Sequence, residues 1–416
     1  MGQGGAVAEK PSQDSEFVTR GSDSSRDAHH GPTRRQVVIG GGVVLGVTAL
    51  AGAPFLSGLL TSLTRVFQPA VGVVAPPSAR YPGLLGQLES GVRAGLMAGG
   101  QVDAPVFARL AANSAPSSAA AMARDLIERE RVDIVLVYTN PTRTDLLGAL
   151  SAETGVPVVV VDPGAHIVTS ADAEPRVLSH SLGHWQSAWS LGSWSADAVG
   201  SRAYVISSLY ESGFDTCGAF EHGLTEAGGS VIGMSVTHVK PGDAASAVQA
   251  AAESGADSIF AACSGAEADE ILRAIAADKR AARIPLLIPG LSADRLASAP
   301  GLSAFTALTW PVAKKSAFMM LGEDVGALVA AAVEGGRKAL PSGKTEFTGA
   351  RGDITLDLAS GRTDIAVGIH SAVASDGSVA FEPLSVAMNT SQASAFVDEI
   401  VPEVRSGWLD VYGSAL

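Results

Sequence analysis

From Ala70 onward the sequence repeats one alternation. A short run of β-branched residues is followed by an Ala-rich segment with helical spacing of its apolar positions. AVGVVAP (70–76), VFARLAAN (106–113), VDIVLVYTN (132–140) and PVVVVDPGAH (157–166) read as strands. LLGQLESGVRAGLMAGG (84–100), SSAAAMARDLIERE (117–130) and TRTDLLGALSAETG (142–155) between them read as helices. Strand runs that are apolar at nearly every position are buried on both faces, and helices alternating with them give an open parallel sheet covered on two sides. A second series starts after residue 180. HWQSAWSLGSWSADAVG (184–200) reads as a crossing helix. SRAYVISSLY, SVIGMSVTHV, DSIFAACSG, IPLLIPGLS and FTALTWPV read as strands with helices between them. A long helix over 316–339 precedes antiparallel hairpins over 352–383, with turns at Ser360-Gly361 and Asp376-Gly377. Two such lobes facing each other make a cleft, because ligands of open parallel sheets sit beyond the carboxyl ends of the strands.

Length and charge narrow the function. A chain of 416 residues accommodates two lobes, and a formal net charge of −13 gives no footprint for a phosphate backbone, so nucleic acid is excluded as a partner. Residues 1–33 are polar, without apolar periodicity, and a disordered leader is expected. Thr33-Arg34-Arg35-Gln36 then opens the apolar run VVIGGGVVLGVTALAGA, which resembles a twin-arginine export signal. PFLSGLL extends it to Leu60, long enough for a membrane anchor if Ala49-Leu50-Ala51 is not cleaved. The rest of the chain is expected outside the cytoplasm, touching a membrane only through this N-terminal segment.

The order of motifs in the two series resembles a known family. Ser212-Gly213-Phe214 followed by GAFEHGLTEAGGSVIGMSVTHVKPGD and SAVQAAAESGADSIFAACSGAEADEILRAIAAD, RVDIVLVYTNPTRTDLLGALSAETGVPVVVVDPGAH, the Gln186 helix, and FTGARGDITLDLASGRT together cover about residues 70–385. They are similar to the type I periplasmic solute-binding proteins, the branched-chain amino-acid (Leu/Ile/Val)-binding-like family of ABC transporters. The resemblance implies an α/β Venus-flytrap: two doubly wound parallel-sheet lobes joined by three hinge strands. Crossings are expected near 180–184, 310–313 and 340–356. The expected divisions are a leader and signal over 1–66, one lobe from 67–182 and 312–355, the other from 183–311 and 356–385, and a tail over 386–416.

The resemblance also implies a function: a non-enzymatic, monomeric protein that captures a small molecule and delivers it to an ABC permease, without a cofactor. The alternative is a ligand-sensing extracytoplasmic module of a signalling receptor. Where the family holds an α-carboxylate, this chain has Asn140, Pro141 and Thr142, then Gly164, Ala165 and His166; backbone N–H groups there can still hold an oxygen. Where the family holds the ammonium, it has Ser212, Ser264 or Gly265, and Gly290 or Leu291, with neither the rings nor the acid in register. Glu211 or Glu267 would have to replace that acid from a different geometry. An ordinary branched-chain amino acid therefore loses its charge-assisted partner and cation–π contacts.

His166, His180 and His184 invite a metal, but nothing fixes tetrahedral geometry, and His166 is expected as a polar cleft residue. Trp185, Trp189 and Trp194 recur at helical spacing and are expected in packing. Trp310 at a strand end and Tyr81 in the first strand-to-helix loop are candidates for the ligand. Cys217 and Cys263 can form at most one bridge. No Ser sits in a nucleophile elbow, so no catalytic residue is assigned. The candidate binding set is Tyr81, Asn140, Thr142, Gly164, Ala165, His166, Ser212, Ser264, Gly265 and Trp310.

Overall fold

A computed structural model describes residues 68–397, apart from 170–171, 173, 175, 239, 313–314, 335–343, 358–359, 376 and 396. The proposed export signal, the anchor run and residues 398–416 of the C-terminal tail lie outside the described residues.

The first sheet has the order β2-β1-β3-β4-β5 and every pairing in it is parallel. Its strands are β1 Val71–Ala75, β2 Val106–Leu110, β3 Ile134–Tyr138, β4 Val158–Asp162 and β5 Val177–Ser181. The helices α1 Leu84–Ala98, α2 Pro116–Asp125 and α3 Asp145–Thr154 connect them. β1, β3 and β4 are buried at every position, as their unbroken apolar runs require of central strands. β5 was not anticipated: VLSHS is polar at its last three positions and its strand is recruited by the neighbouring Val158–Asp162 ladder rather than by its own pattern.

After α4 His184–Ala198, the second sheet runs β7-β6-β8-β9-β10 in parallel. Its strands are β6 Arg202–Ser208, β7 Ser230–Thr237, β8 Ser258–Ala262, β9 Leu286–Pro289 and β10 Ser303–Leu308. Helices α5 Thr216–Glu226, α6 Asp243–Glu253 and α7 Gly265–Ala277 link the first of these, and α8 Ala317–Glu334 follows β10. The hairpins are β11 Lys344–Gly349, β12 Gly352–Asp357, β13 Arg362–Ser375 and β14 Ser378–Asn389, and the short α9 Thr390–Ser394 follows. Gly361 and Gly377 take left-handed φ values of 66° and 76° at the two turns where the sequence places them.

Residues 354–357 of β12 pair with 362–365 of β13, whereas 368–373 of the same strand pair with β10 of the second sheet. β13 thus carries the chain from the β11–β12 hairpin into the ladder of β10. The chain must first turn back at Gly361 to form the ladder that holds the start of β13. Against β14, the register of β13 shifts between Val367 and Ile369 and between Ile369 and His370.

Small residues set the closest helix contacts. Gly91 and Gly95 of α1 face Gly322 and Gly326 of α8, each one helical turn apart, so the two backbones touch. A Cβ at Gly95 would overlap the Glu323 carbonyl oxygen and stand 2.7 Å from the Ala327 nitrogen. The same device recurs where Gly192 of α4 meets the Phe220 carbonyl and Gly223 of α5 meets the Trp189 carbonyl. Gly95→Val is expected to destabilise the protein by about 2 kcal/mol, because neither backbone can yield as a flexible side chain would. A shift of the urea midpoint at constant slope would report it; an unchanged midpoint would contradict the contact. Among the described residues, no helix is long and apolar enough to cross a membrane.

Candidate functional site

The loop after β1 carries Arg80 and Tyr81 across to the second sheet. Arg80 Nη1 donates to the carbonyl and to the hydroxyl of Ser264, both at 2.8 Å, and Nη2 lies 3.2 Å from the Glu267 carboxylate. The guanidinium carbon stands 3.7 Å from the ring centroid of Tyr210. Ser264 and Glu267 open α7 directly beyond β8, and Tyr210 follows β6, so these groups converge at the carboxyl ends of second-sheet strands. The Ser264 hydroxyl in turn donates to Glu211, which is buried. Burial pushes the Glu211 carboxyl up, while the Ser264 hydrogen bond and the Arg80 charge oppose it.

A second bridge joins the loop after β4 to the start of α5. The Ile167 N–H donates to Asp215 Oδ2 at 2.7 Å, and the Asp215 N–H donates to the Ala165 carbonyl at 3.0 Å. The His166 ring packs on Phe214 with centroids 4.9 Å apart, its Nδ1 3.6 Å from Asp215 Oδ2. Between these bridges the cleft is filled by rings: Tyr210 meets Phe214 edge-on at 4.8 Å, and Phe318 meets Tyr81 at 4.9 Å and Tyr138 at 6.0 Å. Burial raises the phenols of Tyr81 and Tyr138, so both remain neutral hydroxyls at neutral pH.

Beside this aromatic cluster opens a cavity of about 150 Å³. Tyr81, Phe318, Leu291 and Trp310 line it, with Asp294 and Lys315 contributing charge. A volume of this order accepts a single benzene ring. Lys315 pairs with Glu323 at 2.6 Å and its side chain is substantially exposed, leaving the ammonium open to a further acceptor. A smaller recess of about 10 Å³, enough for one water, lies among Asp162, Gly164, His166, Gln186 and Thr363.

The sequence-derived set divides accordingly. Tyr81 and Trp310 line the larger cavity; Gly164 and His166 line the smaller recess. Ala165 and His166 join the Asp215 bridge, and Ser264 and Gly265 form the seat of Arg80. Asn140 and Thr142 are engaged with each other, the Asn140 side-chain carbonyl accepting from both the N–H and the hydroxyl of Thr142 at 2.9 Å. The Ser212 hydroxyl donates back to the Leu209 carbonyl at 2.8 Å. Cys217 and Cys263 are both free thiols. Burial pushes Cys217 up to about 12, and Cys263 higher still, so neither is a nucleophile at neutral pH. Trp185 and Trp189 are buried in packing with Ile167 and Ala219, and Trp194 rests on Phe305. Arg80, Tyr138, Asp215 and Phe318 were missed. Only Arg80 had a sequence signal, its place beside Tyr81 in a loop that must lie at a strand end.

His180 belongs to a buried polar cluster with Asp324, Arg351 and Thr363. Its Nε2 lies 2.9 Å from Arg351 Nη2 and 3.3 Å from Asp324 Oδ2, and its Nδ1 lies 3.2 Å from the Thr363 hydroxyl. Arg351 Nε donates to Asp324 Oδ2 at 2.5 Å, and Nη2 also reaches the Ser181 carbonyl at 3.0 Å. Arg351 Nη1 stands 3.5 Å from the Thr309 hydroxyl, which donates to the Leu182 carbonyl. Arg351 sits in the Gly-x-x-Gly turn, where Gly349 leaves room for Asp324.

Comparison with known proteins places this architecture. A solute-binding protein of an ABC transporter from R. palustris, solved with 4-hydroxybenzoate, is 20% identical with a TM-score of 0.59 over 77% of this chain and 97% of its own. An ABC transporter substrate-binding protein from Sphaerobacter thermophilus is 18% identical with a TM-score of 0.63 over 77% and 98%. A leucine binding protein from Thermotoga maritima is 18% identical with a TM-score of 0.55 over 77% and 98%. No curated protein matches the chain significantly in sequence. The family model described as periplasmic binding protein matches residues 110–357, which run from the end of β2 through both parallel sheets to the end of β12. With two parallel-sheet lobes and loops meeting at the strand ends, the chain belongs to the periplasmic binding protein family.

Proposed function

We propose that this protein captures a small organic solute with a flat apolar face between its lobes, outside the cytoplasm, and hands it to an ABC permease without transforming it. The observation that carries the reading is the aromatic-walled cavity of about 150 Å³ between the loop after β1, the start of α8 and the loops after β9 and β10. Tyr81, Trp310 and Phe318 present ring faces and edges to a guest, and Lys315 at the rim supplies a cation for an acidic substituent. The benzoate-type ligand of the R. palustris neighbour has the size and polarity this cavity suits. Gly164, Ala165, His166, Ser264 and Gly265 act in this reading at the lobe-to-lobe bridges, and Asn140, Thr142 and Ser212 shape the loops that carry them. Residues 1–66 export the chain by the twin-arginine route.

Isothermal titration of the full chain with benzoate, 4-hydroxybenzoate and leucine tests this. The benzoates are expected to bind and leucine to fail. Trp310→Ala is expected to weaken benzoate binding by about tenfold, the loss of one well-packed ring contact. Leucine binding with no response to either benzoate would overturn the assignment of the cavity.

A further inference from the structure

We propose that the second lobe carries a cage for an organic monocation, built from Tyr210, Ser264 and Glu267, whose occupant in this structure is Arg80 of the opposing lobe. The inference rests on the two-lobe capture reading and goes beyond it, assigning a second site with its own ligand class. The cage has the parts that recognise a planar cation: an aromatic face, a carboxylate at one nitrogen, and a carbonyl and a hydroxyl at the other. The fit is close. The Arg80 side chain is 6% exposed, and a Cβ at Gly265 would come within 3.3 Å of Nη1, a tight contact with the seated guanidinium. Gly265 also takes a left-handed φ of 60°.

Every cage group belongs to the second lobe and the cation to the first. When the lobes part, Arg80 leaves and the cage is presented to solvent with Glu267, and with Glu211 one hydroxyl away through Ser264. A small guanidinium or alkylammonium ion then competes with Arg80 and opposes closure. The solute that the two lobes hold together carries no cation at this end, since Arg80 already occupies the counter-charge.

Chemical rescue in the full chain tests the cage. Arg80→Ala is expected to bind methylguanidinium at one site at least about tenfold more tightly than the wild type does, and to melt at a higher temperature in its presence. R80A/E267Q is expected to lose that binding, and the neutral isostere methylurea to produce neither effect. An equal response of wild type and R80A, or an equal effect of methylurea, overturns the proposal. Should R80A fail to fold, Arg80→Met retains the apolar stem, and a double-mutant cycle with Glu267→Gln must show at least about fivefold coupling in the unfolding equilibrium. Additive effects there overturn it as well. Rescue is read without any solute, so a wild type that binds benzoate but shows no rescue defeats the cage alone. Rescue with no benzoate binding defeats the cavity assignment alone.

Discussion

Asp324→Asn is expected to remove about 3–5 kcal/mol of folding stability, the largest single-residue effect in this molecule. Asp324 is fully buried, and the side chain of Arg351 beside it is fully buried too. Burial alone would raise the Asp324 carboxyl, but the Arg351 guanidinium and the His180 contact hold it below the ordinary carboxylate range. Burial lowers the titration of His180, with the Asp324 hydrogen bond opposing and the Arg351 charge adding, so the ring is neutral and cannot substitute for the carboxylate. The asparagine variant strands the buried Arg351 guanidinium without a counter-ion. The cost arises from that uncompensated charge rather than from the worth of the pair. Asp324→Leu combined with Arg351→Met is therefore expected to recover most of the loss. Urea unfolding of the three variants decides the matter: D324N close to wild type, or a double variant as weak as D324N, would show that the ion pair is not what holds this region.

Acid is expected to destabilise the protein through His184. This ring at the start of α4 is buried, and burial lowers its titration to about 4, against about 6.5 when unfolded. Between those values the unfolded chain binds the proton and the folded one does not, so stability falls as pH drops through that window. Above pH 6.5 both states are neutral and the effect is absent; below 4 both are charged and it is complete. The full difference is about 3 kcal/mol. Unfolding free energies at pH 7 and pH 4.5 for wild type and His184→Phe test it, the variant being expected to lose most of the decline between them. A decline of the same size in both proteins would assign the acid sensitivity elsewhere.

How far the sequence disclosed this molecule depends on which force fixed each part. β1, β3 and β4 and the helices between them were legible because continuous Val and Ile runs and Ala-rich amphipathic segments carry their burial in their own order. β5 was not, since its ladder with β4 decides it while Ser179 and Ser181 argue against a strand. The hairpin turns were legible from glycine, but the length of β13 was not, because its two halves answer to different partners. At the site, Tyr81 and Trp310 were found by their places at strand ends. Asp215 and Phe318 escaped notice because an acid at a helix start and a Phe in an apolar helix are common, and only tertiary approach gives them a role. Ser212 was placed by register with a family in which that position bears a ring; here the ring is two residues earlier, at Tyr210, where it serves Arg80.

The continuous course of β13 has one further consequence. Because Arg362–Ser375 pairs with β12 at its start and with β10 at its end, a rotation of one ladder against the other would twist a single hydrogen-bonded ribbon. The same geometry makes the protein indivisible. A fragment carrying either half alone would inherit part of that ribbon with its backbone donors and acceptors unmatched, an open template for aggregation instead of an autonomous domain.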